Sequence, residues 1–427
     1  MVDLIDPQTI AVVIFLVTYF LIATGWREKA ATAMAGAAVL WGLGVLSGEE
    51  LIGFIDLDTL VLLFGLMIVT GCLTASGFFR WIGIGLANFC KCRPVRMLLM
   101  FTLISAVFSA FLPNIATILF MVAVIIDIME TLKVEPMPYV FAVILASNIG
   151  GTATLIGDPP NMMIATASGM TFMDFILDVA PIVATSLALV IVFLYFHNKQ
   201  AMINMESRIE YSKIPLEAKD VIRDQRLFTL GSLVLSASIA LFFLHDLFQI
   251  SPSTVAVVSA VVILFVGGPR MPDVFKEIEW DTLIFLAGIF VIIGGLEKTG
   301  FIHEISMRLF PILGGNQLLA VSTVLWISTF ASAFIDNIPF TATFIPLLQE
   351  LGLGIEREIL PLWWGLSLGA GLGGNGTLIG SVVNIVAVGA ASKRGYTITF
   401  KDFMKIGMLT LLITTATANA LLILKIS

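Results

Sequence analysis

Apolar residues recur in runs long enough to cross a bilayer, which takes about 20 residues each. They lie at 9–24, 30–47, 58–75, 137–157 and 176–197, then at 227–245, 253–268, 281–297, 361–380 and 404–425. Two more apolar stretches, 97–129 and 316–350, are interrupted in the middle by Leu112-Pro113-Asn114 and Ile335-Asp336-Asn337. A polar step between two apolar arms predicts either a re-entrant hairpin or two spans. Amphipathic pieces at Phe78 to Phe89 and Phe301 to Leu313 predict helices at the membrane surface. The polar segment 198–226 reads as a linker between a first unit, 1–197, and a second, 227–427.

In one run the apolar pattern gives way altogether. Ser147-Asn-Ile-Gly-Gly-Thr-Ala-Thr-Leu-Ile-Gly-Asp-Pro-Pro-Asn161 places Gly, Pro and polar side chains where a helix should continue. Pro159-Pro160 removes two N–H donors and clashes with the preceding turn. Freed backbone groups in hydrocarbon cost several kcal/mol each unless protein, ion or water satisfies them. Such a break is tolerated where it lines a cavity, which is how transporters build sites.

The break belongs to an internal repeat. Asp58-Thr-Leu returns as Asp281-Thr-Leu, and Ser109-Ala-Phe-Leu-Pro-Asn114 as Ser332-Ala-Phe-Ile-Asp-Asn337. Gly150-Gly-Thr-Ala-Thr-Leu-Ile-Gly157 returns as Gly373-Gly-Asn-Gly-Thr-Leu-Ile-Gly380, and Asn161 as Asn384. The offset is 223 positions each time (281 − 58, 337 − 114, 384 − 161). Five spans per half is an odd number, so the second half is expected to enter the membrane upside down. The expected fold is an all-α polytopic membrane protein. It has two inverted repeats of five transmembrane helices, each with a re-entrant hairpin and a broken helix.

Composition agrees with a membrane setting. The chain is 58% apolar and 12% charged, against roughly 25% charge in soluble domains. With the N-terminus outside and ten spans, only Lys298, Arg308, Arg357 and Lys425 of the 23 Lys and Arg residues fall outside. The positive-inside rule then predicts a multi-pass plasma-membrane protein with both termini outside and 198–226 cytoplasmic.

Two hairpin tips and two helix breaks are expected to converge. The first tip offers Asn114 and Thr117, the second Asp336, Asn337, Thr341 and Thr343. The first break offers Ser147, Asn148, Gly150, Gly151, Thr152, Thr154, Asp158 and Asn161. The second offers Gly374, Asn375, Thr377, Ser381 and Asn384. Helix N-termini suit oxyanions and freed carbonyls suit cations. Amides and hydroxyls also fit neutral polyhydroxy solutes. An ionisable group inside a span is functional by default, which selects Asp336 and Asp158 as proton-coupling groups. No Lys, Arg or His lies in the four elements, so an anion would need dipoles, amides or a co-bound cation. No metal cluster or bound cofactor is expected, only a coupling proton or sodium ion. The scattered His197, His245 and His303, and the absence of a nucleotide or nucleophile motif, argue against an enzyme or nucleic-acid binder. The lack of a charged ring argues against a passive channel.

The run from Ser147 to Asn161 resembles the signature of the ion transporter superfamily. The branch is that of arsenite-efflux permeases, NhaD-type sodium/proton antiporters and the melanosomal P protein, and the resemblance covers about 9–425. It implies a scaffold, a mobile transport domain and alternating access. Relatives place sodium on Ser-Asn-Thr at the hairpin tips. Here the matching residues are Pro113-Asn114-Ile115 and Asp336-Asn337-Ile338, which keep Asn alone. The resemblance implies arsenite or antimonite efflux, with sodium/proton antiport and sodium-coupled dicarboxylate or sulfate transport as alternatives. A small inorganic solute or anion and the lipid bilayer are the expected partners. A homodimer and an ATPase subunit on the cytoplasmic face are left open.

Overall fold

The computed structural model describes residues 6–207, 221–268, 271–313, 315–354 and 359–427, and every described element is helical. Arg357 and residues 208–220 of the expected linker lie outside these. The first half runs through α1 (Pro7–Thr24), α2 (Lys29–Gly42), α3 (Gly48–Gly53), α4 (Leu57–Ser76) and α5 (Phe78–Phe89). It continues with α6 (Pro94–Phe111), α7 (Asn114–Thr131), α8 (Met137–Gly151), α9 (Pro159–Ser168), the turn α10 (Phe172–Asp174) and α11 (Ala180–Glu206). The second half comprises α12 (Gln225–Phe248), α13 (Pro252–Gly267), α14 (Met271–Lys276), α15 (Trp280–Lys298) and α16 (Phe301–Leu313). It ends with α17 (Gln317–Phe334), α18 (Asn337–Gly354), α19 (Leu360–Gly373), α20 (Val382–Lys393) and α21 (Phe400–Ile426).

Among the described residues nine helices are long and apolar enough to span a membrane. They include the hairpin arms α6, α7 and α17, whereas four expected spans are shorter. Helices α2, α8, α13 and α19 have 14, 15, 16 and 14 residues. Gly44, at φ 74°, turns the chain soon after α2, and α8 and α19 stop at the glycine pairs of the two breaks. The polar residues 198–206 do not begin a linker; they prolong α11, which is 27 residues long. Large apolar side chains such as Phe265 and Leu424 are exposed, as a lipid-facing surface requires.

The repeat extends to the helix boundaries. The first residues of α4 to α9 return 223 positions later as those of α15 to α20 (280 − 57, 382 − 159). Contacts are exchanged between halves as well. A Cβ on Gly65 of α4 would lie 2.7 Å from the carbonyl carbon of Ala256 on α13. One on Gly288 of α15 would lie 2.8 Å from that of Ala33 on α2. These are the same contact with its partners swapped, and only Gly permits so close an approach. Likewise α7 packs on α20 while α18 packs on α9. Such reciprocity is what a two-fold relation between the halves produces. It brings each hairpin against the broken helix of the other half.

Candidate functional site

Each hairpin tip forms where its first arm cannot continue. Leu112 is extended (φ −132°, ψ 150°), as a residue before Pro prefers. Ile335 takes the same form (φ −121°, ψ 127°), and there the Asp336 carboxylate accepts from the Ile338 N–H at 3.2 Å. Each break is held open by an Asn. The Asn161 amide donates to the carbonyls of Thr152 (3.0 Å) and Thr154 (2.9 Å), and Asn384 donates to those of Gly374 (2.7 Å) and Thr377 (2.9 Å). Thr154 and Thr377 donate in turn to the carbonyls of Ala110 and Ala333 on the neighbouring hairpins. Ser109 donates to the Ser147 carbonyl and Ser332 to that of Ala370, both at 2.6 Å. The freed backbone groups of the breaks are therefore largely satisfied by protein, as burial demands.

The tips and breaks meet around one small cavity. Its walls include Asn114 and Asn337 from the tips, Gly157 and Asp158 from the first break, and Ser381 from the second, together with Glu279 at the start of α15. The space left for the centre of a water molecule is about 20 Å³, room for roughly one water. Asp158, 5% exposed, accepts from the Asn337 amide at 2.9 Å. Gly151 lies against the Asn114 amide, where a Cβ would come within 2.4 Å, and Gly150 lies equally close to Ala106. One Glu279 oxygen accepts from the Thr282 hydroxyl at 3.2 Å, while the other is buried without a partner.

The cavity is not devoid of positive charge nearby. Lys29, at the start of α2, forms an ion pair with Asp336, whose side chain is only 4% exposed. No Lys, Arg or His lies in the four elements themselves, but an anion would not depend on dipoles, amides or a co-bound cation alone. The charge comes from outside them, because α2 packs on α15 and brings its N-terminus to the second tip.

A second, uncharged cluster lies where the broken helices meet. The Asn148 amide donates to the side-chain oxygens of Asn375 (3.0 Å) and Asn384 (2.8 Å), and its own oxygen is buried without a partner. Asn375 donates to the Leu145 carbonyl at 3.3 Å, and Ser367 to the Asn161 oxygen at 2.7 Å. Thr152 turns back onto the Asn148 carbonyl at 2.9 Å.

A sequence model of the CitMHS citrate transporter family matches residues 19–369. The chain belongs to this family. It is a membrane secondary transporter of the CitMHS and wider ion transporter group. It is 35% identical to the uncharacterized transporter Rv2684 of Mycobacterium tuberculosis over 98% of both chains. It is 30% identical to the P protein of Sus scrofa over 93% of this chain and 57% of that one. In fold it is similar to the YdaH transporter of Alcanivorax borkumensis (TM-score 0.58, 15% identity, 99% and 98% covered). It is also similar to MtrF of Neisseria gonorrhoeae (TM-score 0.59, 11% identity, 99% and 95% covered).

In this CitMHS-family chain, the geometry divides the expected site residues. Asn114, Asp158, Asn337 and Ser381 line the ion-sized cavity, with Asp336 beside it through Asn337. Ser147, Asn148, Thr152, Asn161, Asn375 and Asn384 build the amide cluster or its supports. Thr154, Thr377, Gly150, Gly151 and Gly374 shape the breaks. Thr117 and Thr341 are buried with unpartnered hydroxyls outside the cavity walls, and Thr343 bonds Tyr19 at 2.7 Å. Sequence reasoning missed Lys29 and Glu279. The repeat held a signal for Glu279. It stands two residues before Asp281-Thr-Leu, just as Asp56 stands before Asp58-Thr-Leu.

Proposed function

We propose that the chain couples transport to protons through Asp158 and Asp336, with a small cation, sodium foremost, competing for the cavity between tips and breaks. The observation that carries this reading is the chemistry of that cavity. Carboxylates of Asp158 and Glu279 and amides of Asn114 and Asn337 stand among otherwise largely apolar walls (Leu63, Met67, Met162, Ile338 and Val383 among them) of a space the size of one small ion. Such hard oxygen ligands suit an alkali cation or a proton. Lys29 is then the resident counter-charge of Asp336, displaced when a cation or proton takes its place. This is exchange of sodium for protons, in the plasma membrane, with 198–226 on the cytoplasmic side.

A second reading, arsenite or antimonite efflux, is favoured by the uncharged cluster. The free Asn148 oxygen and its amide neighbours could hold the hydroxyls of neutral arsenous acid. A carboxylate cargo, as the family description names, would find its fixed positive charge in Lys29. Each larger solute requires the cavity to open.

The test is transport by purified protein in proteoliposomes under an imposed proton gradient, with sodium, arsenite and citrate side by side. Sodium should dissipate the gradient, and Asp158→Asn or Asp336→Asn should abolish that flux. Arsenite movement lost in Asn148→Ala would install the metalloid reading. Citrate uptake that needs Lys29 and ignores sodium would replace both.

A further inference from the structure

Beside the ion cavity lies a larger space of about 500 Å³, bounded by the first turn of α4, by α9 and by the turn between α12 and α13. Its walls include Asp58, Thr166, His245, Asp246 and Ser253, side chains that call for water rather than lipid. A groove of similar size against α1 and α2 differs, being walled mainly by residues such as Val13, Val17 and Val39. The fixed charge of the larger space is negative. Asp58 and Asp246 are exposed, and no Lys or Arg is among its described walls. His245 adds no charge in this arrangement: Nδ1 donates to the Ile250 carbonyl (3.1 Å) and Nε2 accepts from the Phe172 N–H (3.2 Å). Asp58 accepts from the Ser253 hydroxyl at 2.9 Å, which fixes the mouth between α4 and α13.

Met162 is a wall of both spaces, and only 1% of it is exposed. Leu62 faces the larger space and Leu63 the smaller. We infer that the larger space is a water-filled vestibule delivering cations to the site, and that the Met162 side chain is the closed gate between them. An unbranched thioether with three rotatable bonds is suited to swing aside without disturbing the backbone. Acidic walls concentrate cations at the gate. The ligand class rests on the cation reading above; the place of the gate rests on geometry alone.

The test uses the full chain in vesicles, with the buried Cys72, Cys90 and Cys92 replaced by Ala. Met162→Cys and Thr166→Cys are exposed to cationic and anionic methanethiosulfonates of equal size from either face. Thr166→Cys, already in the vestibule, should react from one face. Met162→Cys should react from the same face during turnover, and its modification should stop transport. The cationic reagent should be faster by about tenfold, a preference lost in Asp58→Asn/Asp246→Asn. An inert Thr166→Cys would overturn the vestibule, and this variant also serves should Met162→Cys fail to fold. A reactive Thr166→Cys beside an inert Met162→Cys would overturn the gate. Equal rates for the two reagents would overturn the cation assignment. If labelling follows expectation but no sodium–proton exchange occurs, the proposed function fails while the passage stands.

Discussion

The Lys29–Asp336 pair permits a quantitative test. Asp336 is 4% exposed at its side chain and Lys29 is 29% exposed. Beyond Lys29, the carboxylate has the Ile338 N–H as its donor. Lys29→Met therefore strands a buried carboxylate, and breaking a buried pair this way typically costs 3–5 kcal/mol. Because solvent reaches part of the ammonium, the expected loss is smaller, about 2–3 kcal/mol. Asp336→Asn leaves an ammonium that can reach toward water on its long stem, so its loss should be nearer about 1 kcal/mol. The double variant leaves neither charge stranded and should recover most of the larger loss, giving a coupling energy of about 2–3 kcal/mol. Unfolding of the three variants in one detergent measures the cycle, and proteoliposome flux measures function, which should be lost in all three. Additivity of the two single effects to within about 0.5 kcal/mol would show that the pair does not couple energetically. The counter-charge role of Lys29 would then fall.

Other expectations follow from single contacts. Asn337→Ala removes the 2.9 Å donor to Asp158. It should cost about 1.5–3 kcal/mol if the carboxylate is charged, and weaken sodium dependence of flux; unchanged sodium dependence would separate Asn337 from the site. Gly65→Leu and Gly288→Leu push side chains into backbone atoms less than 3 Å away, so each should destabilise by about 1–3 kcal/mol or more. Gly85→Ala in α5, where a Cβ meets nothing within 4 Å, should instead stabilise by about 0.5–1 kcal/mol, and thermal unfolding compares the three. Glu50 is lowered from its ordinary 4.5 to about 2, chiefly by the hydrogen bond from Lys298 and then by the Ser47 N–H. Its folded value lies below its unfolded one, so its contribution is whole above pH 4.5 and fades as pH falls toward 2. Glu50→Gln should flatten the unfolding temperature across that window and leave it unchanged in shape at neutral pH.

Where the chain declared local chemistry, sequence sufficed. The first arms of the two hairpins end at Phe111 and Phe334, each two residues before the Pro113 and Asp336 that mark the interruptions. The two amphipathic helices run over Phe78–Phe89 and Phe301–Leu313, because amphipathic periodicity and the preceding Gly77 and Gly300 are local signals. Helix length was less legible. The apolar run at 30–47 persists past the point where Gly44 turns the backbone left-handed, so hydropathy overstated α2, whereas the run at 253–268 matches α13 to within one residue. The polar residues 198–206 stay helical because α11 simply runs on beyond its apolar part. Lys29 could not be found by segment, since it stands 307 positions from Asp336. Their meeting follows from the packing of α2 on α15, a register set by a contact between Gly288 and Ala33.

The repeat also separates two kinds of residue in the site. Positions alike in both halves do matching structural work: Asn161 and Asn384 bind the break carbonyls, Thr154 and Thr377 tie the breaks to the hairpins, Ser109 and Ser332 hold the helices beside them. Apart from Glu279, which Asp56 matches, the charge beside the cavity enters where the halves differ. Asp336 stands opposite Pro113, Asp158 opposite Ser381, and Lys29 opposite Pro252, each 223 positions apart. Two matched halves build a frame whose backbone groups are satisfied from within, so the frame has little chemistry left to offer a solute. The unmatched residues add two carboxylates and an ammonium to an otherwise reciprocal fold. An ion held there meets unlike surroundings from the two halves, and exchanging their roles would therefore change its binding energy.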